Sequence, residues 1–120
     1  MVNRFMRIMV FFDLPVKTKK QRKQYCDFRK FLIRDGYFML QFSVYSRMVR
    51  NHDDAQKHVA RVKCHLPPEG SVRIMTVTEK QYASMEILVG EKWKEETLLD
   101  KKGIIELKSR LAGGSQQSGK

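Results

Sequence analysis

The run Ile8-Met9-Val10-Phe11-Phe12, and the abrupt way it ends, constrains this chain more than any other stretch. Five apolar residues in a row, rich in β-branched and aromatic types, have the length of a strand, and such a strand suits the middle of a sheet with both faces covered. Asp13 breaks the run and Pro15 follows it. Proline has no N–H for a sheet ladder, so the chain must leave the sheet there, with a carboxylate at the carboxyl end of a central strand. Open α/β sheets often keep their chemistry at that end. The strand is expected over Phe5–Phe12, after a short lead-in from Met1 to Arg4.

Leu14 to Lys20 reads as a loop. Thr18 is placed to cap a helix in which Tyr25, Phe28 and Leu32 recur at helical spacing beside Phe31, while Lys19, Arg22, Lys23, Arg29 and Lys30 take other faces. Arg34-Asp35-Gly36 ends it, glycine being the natural left-handed residue after a helix. Tyr37 to Val49 is extended, with Leu40, Phe42 and Val44 on one face and Gln41, Ser43, Tyr45 and Arg47 on the other. That is long for one strand, and a bend or bulge that splits it is expected. Asn51 then caps a second helix whose apolar stripe is Ala55, Val59, Val62 and Leu66, with Asp53 and Asp54 suiting its positive end.

Pro67-Pro68-Glu69-Gly70 turns the chain into Ser71–Thr78, a strand apolar on both faces and therefore expected to be central. A capped helical turn at Thr78–Met85 and a short fourth strand at Glu86–Val89 follow. The order is βαββαβ, an α+β ferredoxin-like arrangement in which right-handed crossovers put both helices on one face of a four-stranded antiparallel sheet, leaving the other face for a partner. Residues 1–90 form this core. Residues 91–108 are a charged extension in which Ile104–Leu107 could add an edge strand, in the same or another subunit. Residues 109–120 have almost nothing to bury and are expected to be disordered.

Charge decides the kind of partner. Lys and Arg number 24 against 13 for Asp and Glu, a net +11 over 120 residues, so a polyanion is expected, nucleic acid ahead of an anionic membrane. No apolar run approaches the ~20 residues of a membrane span, and a cytoplasmic location is expected. Cys26 and Cys64 lack any CxxC spacing, and His52, His58 and His65 match no zinc signature, so neither a disulfide framework nor a zinc site is expected. There is no glycine-rich phosphate loop. Met6, Met9, Met39, Met48 and Met75 read as adaptable core filler.

Three motifs in order, Phe12-Asp13-Leu14-Pro15 ending the first strand, Gln41-Phe42-Ser43-Val44-Tyr45, and Val77-Thr78-Glu79-Lys80-Gln81, resemble the small subunit of the CRISPR spacer-acquisition complex, the CRISPR-associated protein family two in its type II version. The resemblance covers about Arg4 to Leu107. It implies a homodimer of ferredoxin-like domains that sits between two integrase dimers and binds the duplex body of incoming prespacer DNA, while the integrase joins the ends. In the family, DNA is usually met by the loop after the first strand and the far part of the second, which here means Lys17, Lys19, Lys20, Arg47 and Arg50. Sequence-independent duplex capture needs cations facing phosphates and no base-reading helix.

The resemblance also implies a second activity, since the family is commonly described as a metal-dependent endonuclease with Mg²⁺ held at the aspartate in the position of Asp13, near the dimer axis. One carboxylate per chain with no adjacent general base is thin equipment for hydrolysis. Capping the turn before Pro15, or pairing with a basic residue across the dimer, suits Asp13 as well as holding Mg²⁺ does, and both suit it better than catalysis. A non-catalytic scaffold is therefore favoured and no catalytic residue is assigned. The main alternative is a stand-alone Mg²⁺-dependent nuclease using Asp13 of both subunits. An RNA-binding domain of the RRM kind shares the element order, but Val72-Arg73-Ile74-Met75-Thr76-Val77 carries no aromatic for base stacking. A metabolite-binding regulatory domain sits poorly with the charge.

Overall fold

The computed structural model describes residues 5–90, which divide into a body ending at Met85 and the start of a second unit at Glu86. The body contains β1 (Met6–Asp13), α1 (Lys19–Arg34), β2 (Phe38–Gln41), β3 (Val44–Val49), α2 (His52–Lys63), β4 (Ser71–Thr78) and α3 (Glu79–Ala83). Its strands form one antiparallel sheet in the order β2-β3-β1-β4, the α+β ferredoxin-like arrangement. β1 is interior, as the apolar run requires. Ile8, Val10 and Phe12 point to one face and pack with Phe28, Phe31 and Leu32 of α1 and with Ala55 and Val62 of α2, so both helices share that face. Phe12 is its aromatic hub, with the Phe28 ring 5.2 Å away edge-on and the Tyr45 ring at 5.6 Å.

The helix boundaries follow the chemistry of the sequence. Thr18 and Gln21 form a reciprocal capping box at the start of α1, Asn51 accepts from the Asp54 N–H at the start of α2, and Gly36 follows α1 with φ +98. The extended stretch after α1 does split, and sharply. Phe42 and Ser43 form a two-residue turn, with Ser43 at φ +66 and its carbonyl accepting from the Phe12 N–H at 3.0 Å. A bulge between Met39 and Gln41 shifts the register just before it. The simple alternation expected across Leu40, Phe42 and Val44 is therefore broken, and Phe42 stands at the hairpin tip, 68% exposed.

Two other expectations are corrected. β4 is an edge strand and not a central one: its second apolar face belongs to the open side of the sheet, where Met75 is half exposed. Glu86–Val89 forms no strand, and β4 itself is the fourth, because the hairpin supplies two strands where the expectation counted one. Ile104–Leu107 and the 109–120 tail lie outside the described residues. No helix among those residues is long and apolar enough to cross a membrane.

Candidate nucleic-acid interface

Asp13 is the last residue of β1, exposed, on the open face with Arg7, Met9 and Phe11, and opposite Ser71 in β4. The chain's exit beyond it is braced by Gly70 (φ +97), where a side chain would come within 2.7 Å of the Asp13 carbonyl oxygen and 2.8 Å of the Leu14 side chain. Among the described residues no group of three or more His, Cys, Asp or Glu could hold a metal. Mg²⁺ asks for near-octahedral oxygen ligation, and one carboxylate beside a serine does not provide it within one chain.

The loop that follows is held in one shape by its own hydrogen bonds. The Gln21 side-chain oxygen accepts from the backbone N–H groups of Lys17 and Thr18 at 3.0 and 3.1 Å, Gln21 Nε2 donates to Glu69 at 3.1 Å, and the Arg22 guanidinium donates to the carbonyls of Val16 and Lys17. Lys17, Lys19 and Lys20 are thus exposed on a fixed scaffold. Lys19, Lys20, Arg22 and Lys23 crowd the start of α1 and no acid lies in its first turn, although the helix dipole favours negative charge there. That placement costs the isolated helix stability and suits an anion brought from outside.

Arg47 and Arg50 part company. Arg47 lies on the helix side of the sheet, where its Nη1 donates to the Asp35 carbonyl and sits 3.3 Å from His58 Nδ1; its Nε donates to the Met48 carbonyl. Burial pulls its pKa below the ordinary arginine value, partly opposed by Asp35. Around it, His58 Nδ1 is 2.9 Å from Asp35, Arg61 pairs with Asp35 at 2.9 Å, and Asp54 approaches His58 Nε2 at 3.6 Å. The backbone N–H of Arg50, then burial in the opposite sense, then His58 set the Asp54 carboxyl below the usual range. Arg47 is thus part of an ionic cluster, whereas the Arg50 side chain, its Nε 3.8 Å from Asp54 at the cluster's edge, is 76% exposed.

The two exposed groups stand apart. β3 runs antiparallel to β1 with Val49 opposite Met6, so Arg50 lies at the end where β1 begins and Lys17 to Lys20 at the end where it finishes. At about 3.3 Å per residue, the eight residues of β1 put roughly 25 Å between them.

Sequence reasoning missed a second ionic feature. Arg7, buried in β1 on the open face, is gripped by Glu79 at the start of α3 through two bonds of 2.8 and 3.0 Å, with the Tyr82 ring 4.1 Å below the guanidinium. An arginine inside an apolar run and an acid at the first position of a capped turn were the available signals. Beyond this latch the open face carries a shallow apolar groove of about 320 Å³ whose lining includes Met9, Phe11, Val44, Met75, Val77 and Met85.

These features define a class: a small ferredoxin-like domain with helices on one face of its sheet, an apolar groove on the other, and exposed cations beyond both strand ends. The chain belongs to the family described as CRISPR associated protein Cas2, whose model matches residues 6–85. It is 60% identical over 85 residues to a protein of Acidovorax ebreus (strain TPSY), covering 71% of this chain and 83% of that one, and 47% identical over 100 residues to one of Treponema denticola, covering 83% and 99%. Both relatives bear the name CRISPR-associated endoribonuclease Cas2. A solved structure titled "Crystal structure of cas2" superposes with a TM-score of 0.50 at 20% identity, covering 73% of this chain and 90% of that one, a likeness of fold.

Proposed function

We propose that this chain serves CRISPR adaptation as a homodimer that grips the duplex body of incoming prespacer DNA and bridges two integrase dimers, without breaking bonds itself. The observation that carries the reading is the rigid loop that presents Lys17, Lys19 and Lys20 at an acid-free helix start. Such a surface meets phosphates and is indifferent to base sequence. The exposed apolar groove, with Met75 half exposed, supports the pairing of two copies through the open face. Arg50 gives each copy a second cationic station; Arg47, turned inward, is left out of the DNA-facing set.

Duplex binding measured across about 50 to 200 mM salt tests this reading. The affinity of the wild type should fall steeply, and a Lys17→Ala/Lys19→Ala/Lys20→Ala protein should lose about 0.9 from the log-log slope for each phosphate contact removed. Wild-type binding that ignores salt would defeat the proposal. Co-migration of the chain with its integrase and a duplex in a sizing experiment tests the bridging role.

A second reading is favoured by the printed name of the relatives, endoribonuclease; in this chain it would use Mg²⁺ held between Asp13 of two copies. Among the described residues one chain's donors do not complete that site, so it would need further donors such as the second copy or the substrate's own oxygens. Metal-dependent cleavage by the purified protein, lost in Asp13→Ala with dimer and DNA binding intact, would establish this reading over the scaffold.

A further inference from the structure

We propose that the groove between α1 and the turn after α2 docks a short segment of a partner protein, one in which an aliphatic side chain is flanked by carboxylates. The groove lies on the helix side of the sheet, which stays uncovered when two copies pair through the open face. Its volume is about 360 Å³, and Phe28, Phe31, Leu66, Pro67 and Pro68 supply the apolar part of its lining. Leu66 continues the apolar spacing of α2 in the sequence, but the helix ends at Lys63, and Leu66 is left 50% exposed instead of entering the core. An aliphatic side chain held half in water within a concave apolar lining is stabilised when a partner's apolar group covers it.

Part of the lining is fixed in advance. The His65 ring stacks on Phe31 with centroids 4.0 Å apart and planes 11° apart, and its Nδ1 lies 2.9 Å from the Arg61 carbonyl oxygen. A carbonyl only accepts, so Nδ1 carries the proton and the ring is held from two sides. Charge selects the occupant. Asp27, which also lines the groove, is already paired with Lys23 at 2.9 Å, whereas Arg34 makes no hydrogen bond or ion pair among the described residues, and Lys30 stands one helical turn before it. α1 carries seven cations against one acid, so a second copy of this +11 chain presenting the same side would be repelled. A duplex fits poorly too, since its convex backbone can meet Arg34 and Lys30 but leaves Leu66 and the prolines uncovered. A carboxylate on a flexible segment reaches the guanidinium fork while the neighbouring aliphatic group enters the groove.

The test uses the full chain and a short fluorescein-labelled peptide with a leucine between two pairs of glutamates. Fluorescence anisotropy in about 150 mM salt, where the Debye length is about 8 Å, should show saturable binding of this peptide. A peptide with serine in place of the leucine should bind about tenfold more weakly. Leu66→Asp is expected to weaken the leucine peptide by a similar factor. Arg34→Glu should weaken it as well, and should bind a peptide whose glutamates are lysines more tightly than the wild type does, a gain that an unfolded variant would not give. Lys80→Glu makes the same change of charge on α3 and should leave the affinity as it is. Equal affinity for the leucine and serine peptides, or equal losses in Arg34→Glu and Lys80→Glu, would reduce the binding to attraction by net charge and overturn the proposal. Competitive displacement of the peptide by a DNA duplex would overturn it too, assigning the groove to nucleic acid.

Discussion

Three arginines among the described residues meet different fates, and the difference lies in what surrounds each guanidinium. Arg7 is wholly buried against Glu79 and Tyr82, Arg47 is folded into a cluster with Asp35 and His58, and Arg50 meets Asp54 at 3.8 Å with most of its side chain in water. Removing one partner of a buried pair strands the other, so Arg7→Ala is expected to cost about 3–5 kcal/mol in urea unfolding, while Arg50→Ala should change stability by less than about 1 kcal/mol. Tyr37 tests burial differently. Its buried hydroxyl has no hydrogen-bond partner among the described residues, and burial, then Asp35, push its pKa well above the ordinary 10.0. A tyrosine in the unfolded chain ionises near pH 10 and the folded one higher, so the burial of the neutral ring is fully stabilising below pH 10 and is lost as pH climbs toward the folded value. Tyr37→Phe should therefore sit within about 1 kcal/mol of wild type at pH 7 and flatten the alkaline fall in melting temperature. The exposure of Lys17, Lys19 and Lys20 could be read from their place in a polar loop, whereas the fate of Arg47 could not. Its strand parity puts it beside Tyr45 on the helix face, but the groups that hold it there are the Asp35 carbonyl and His58 of α2, distant in sequence.

At the scale of elements, caps and apolar spacing were enough to find both long helices, because each signal lies within a few residues of what it specifies. Strand order is not local in that way. Ser71–Thr78 has apolar residues on both faces whether it lies mid-sheet or at an edge beside an apolar groove, and only the pairing of β1 with both β3 and β4 decides. The hairpin turn was hidden likewise, since Phe42-Ser43 lacks the glycine or asparagine that usually marks one. The loop after β1 is the element most open to test. Thr18→Ala removes one half of the capping box and should cost about 1 kcal/mol in thermal unfolding. Gly70→Ala should cost more than about 1 kcal/mol, since it sets a methyl group against the Asp13 carbonyl at a φ that disfavours any side chain. Duplex affinity is expected to drop in both, as the lysines lose their fixed platform.

At the scale of the whole described body, the sheet acts as a bar with cations beyond either end and a latch, Arg7–Glu79, that ties the helical turn after β4 back to β1. That bar has no hinge between the Lys17 loop and Arg50. Rise along B-form DNA is about 3.4 Å per base pair, so a span of roughly 25 Å corresponds to some seven base pairs, about two-thirds of a turn. A linker would let the two stations find phosphates at many separations; hydrogen-bonded strands allow one. Straight, stiff DNA satisfies that spacing without deformation, and a substrate interrupted by a gap midway should be held at one station only, with a correspondingly shallower dependence on salt. The protein would then discriminate by rigidity, accepting fragments that stay rod-like and releasing those that fold.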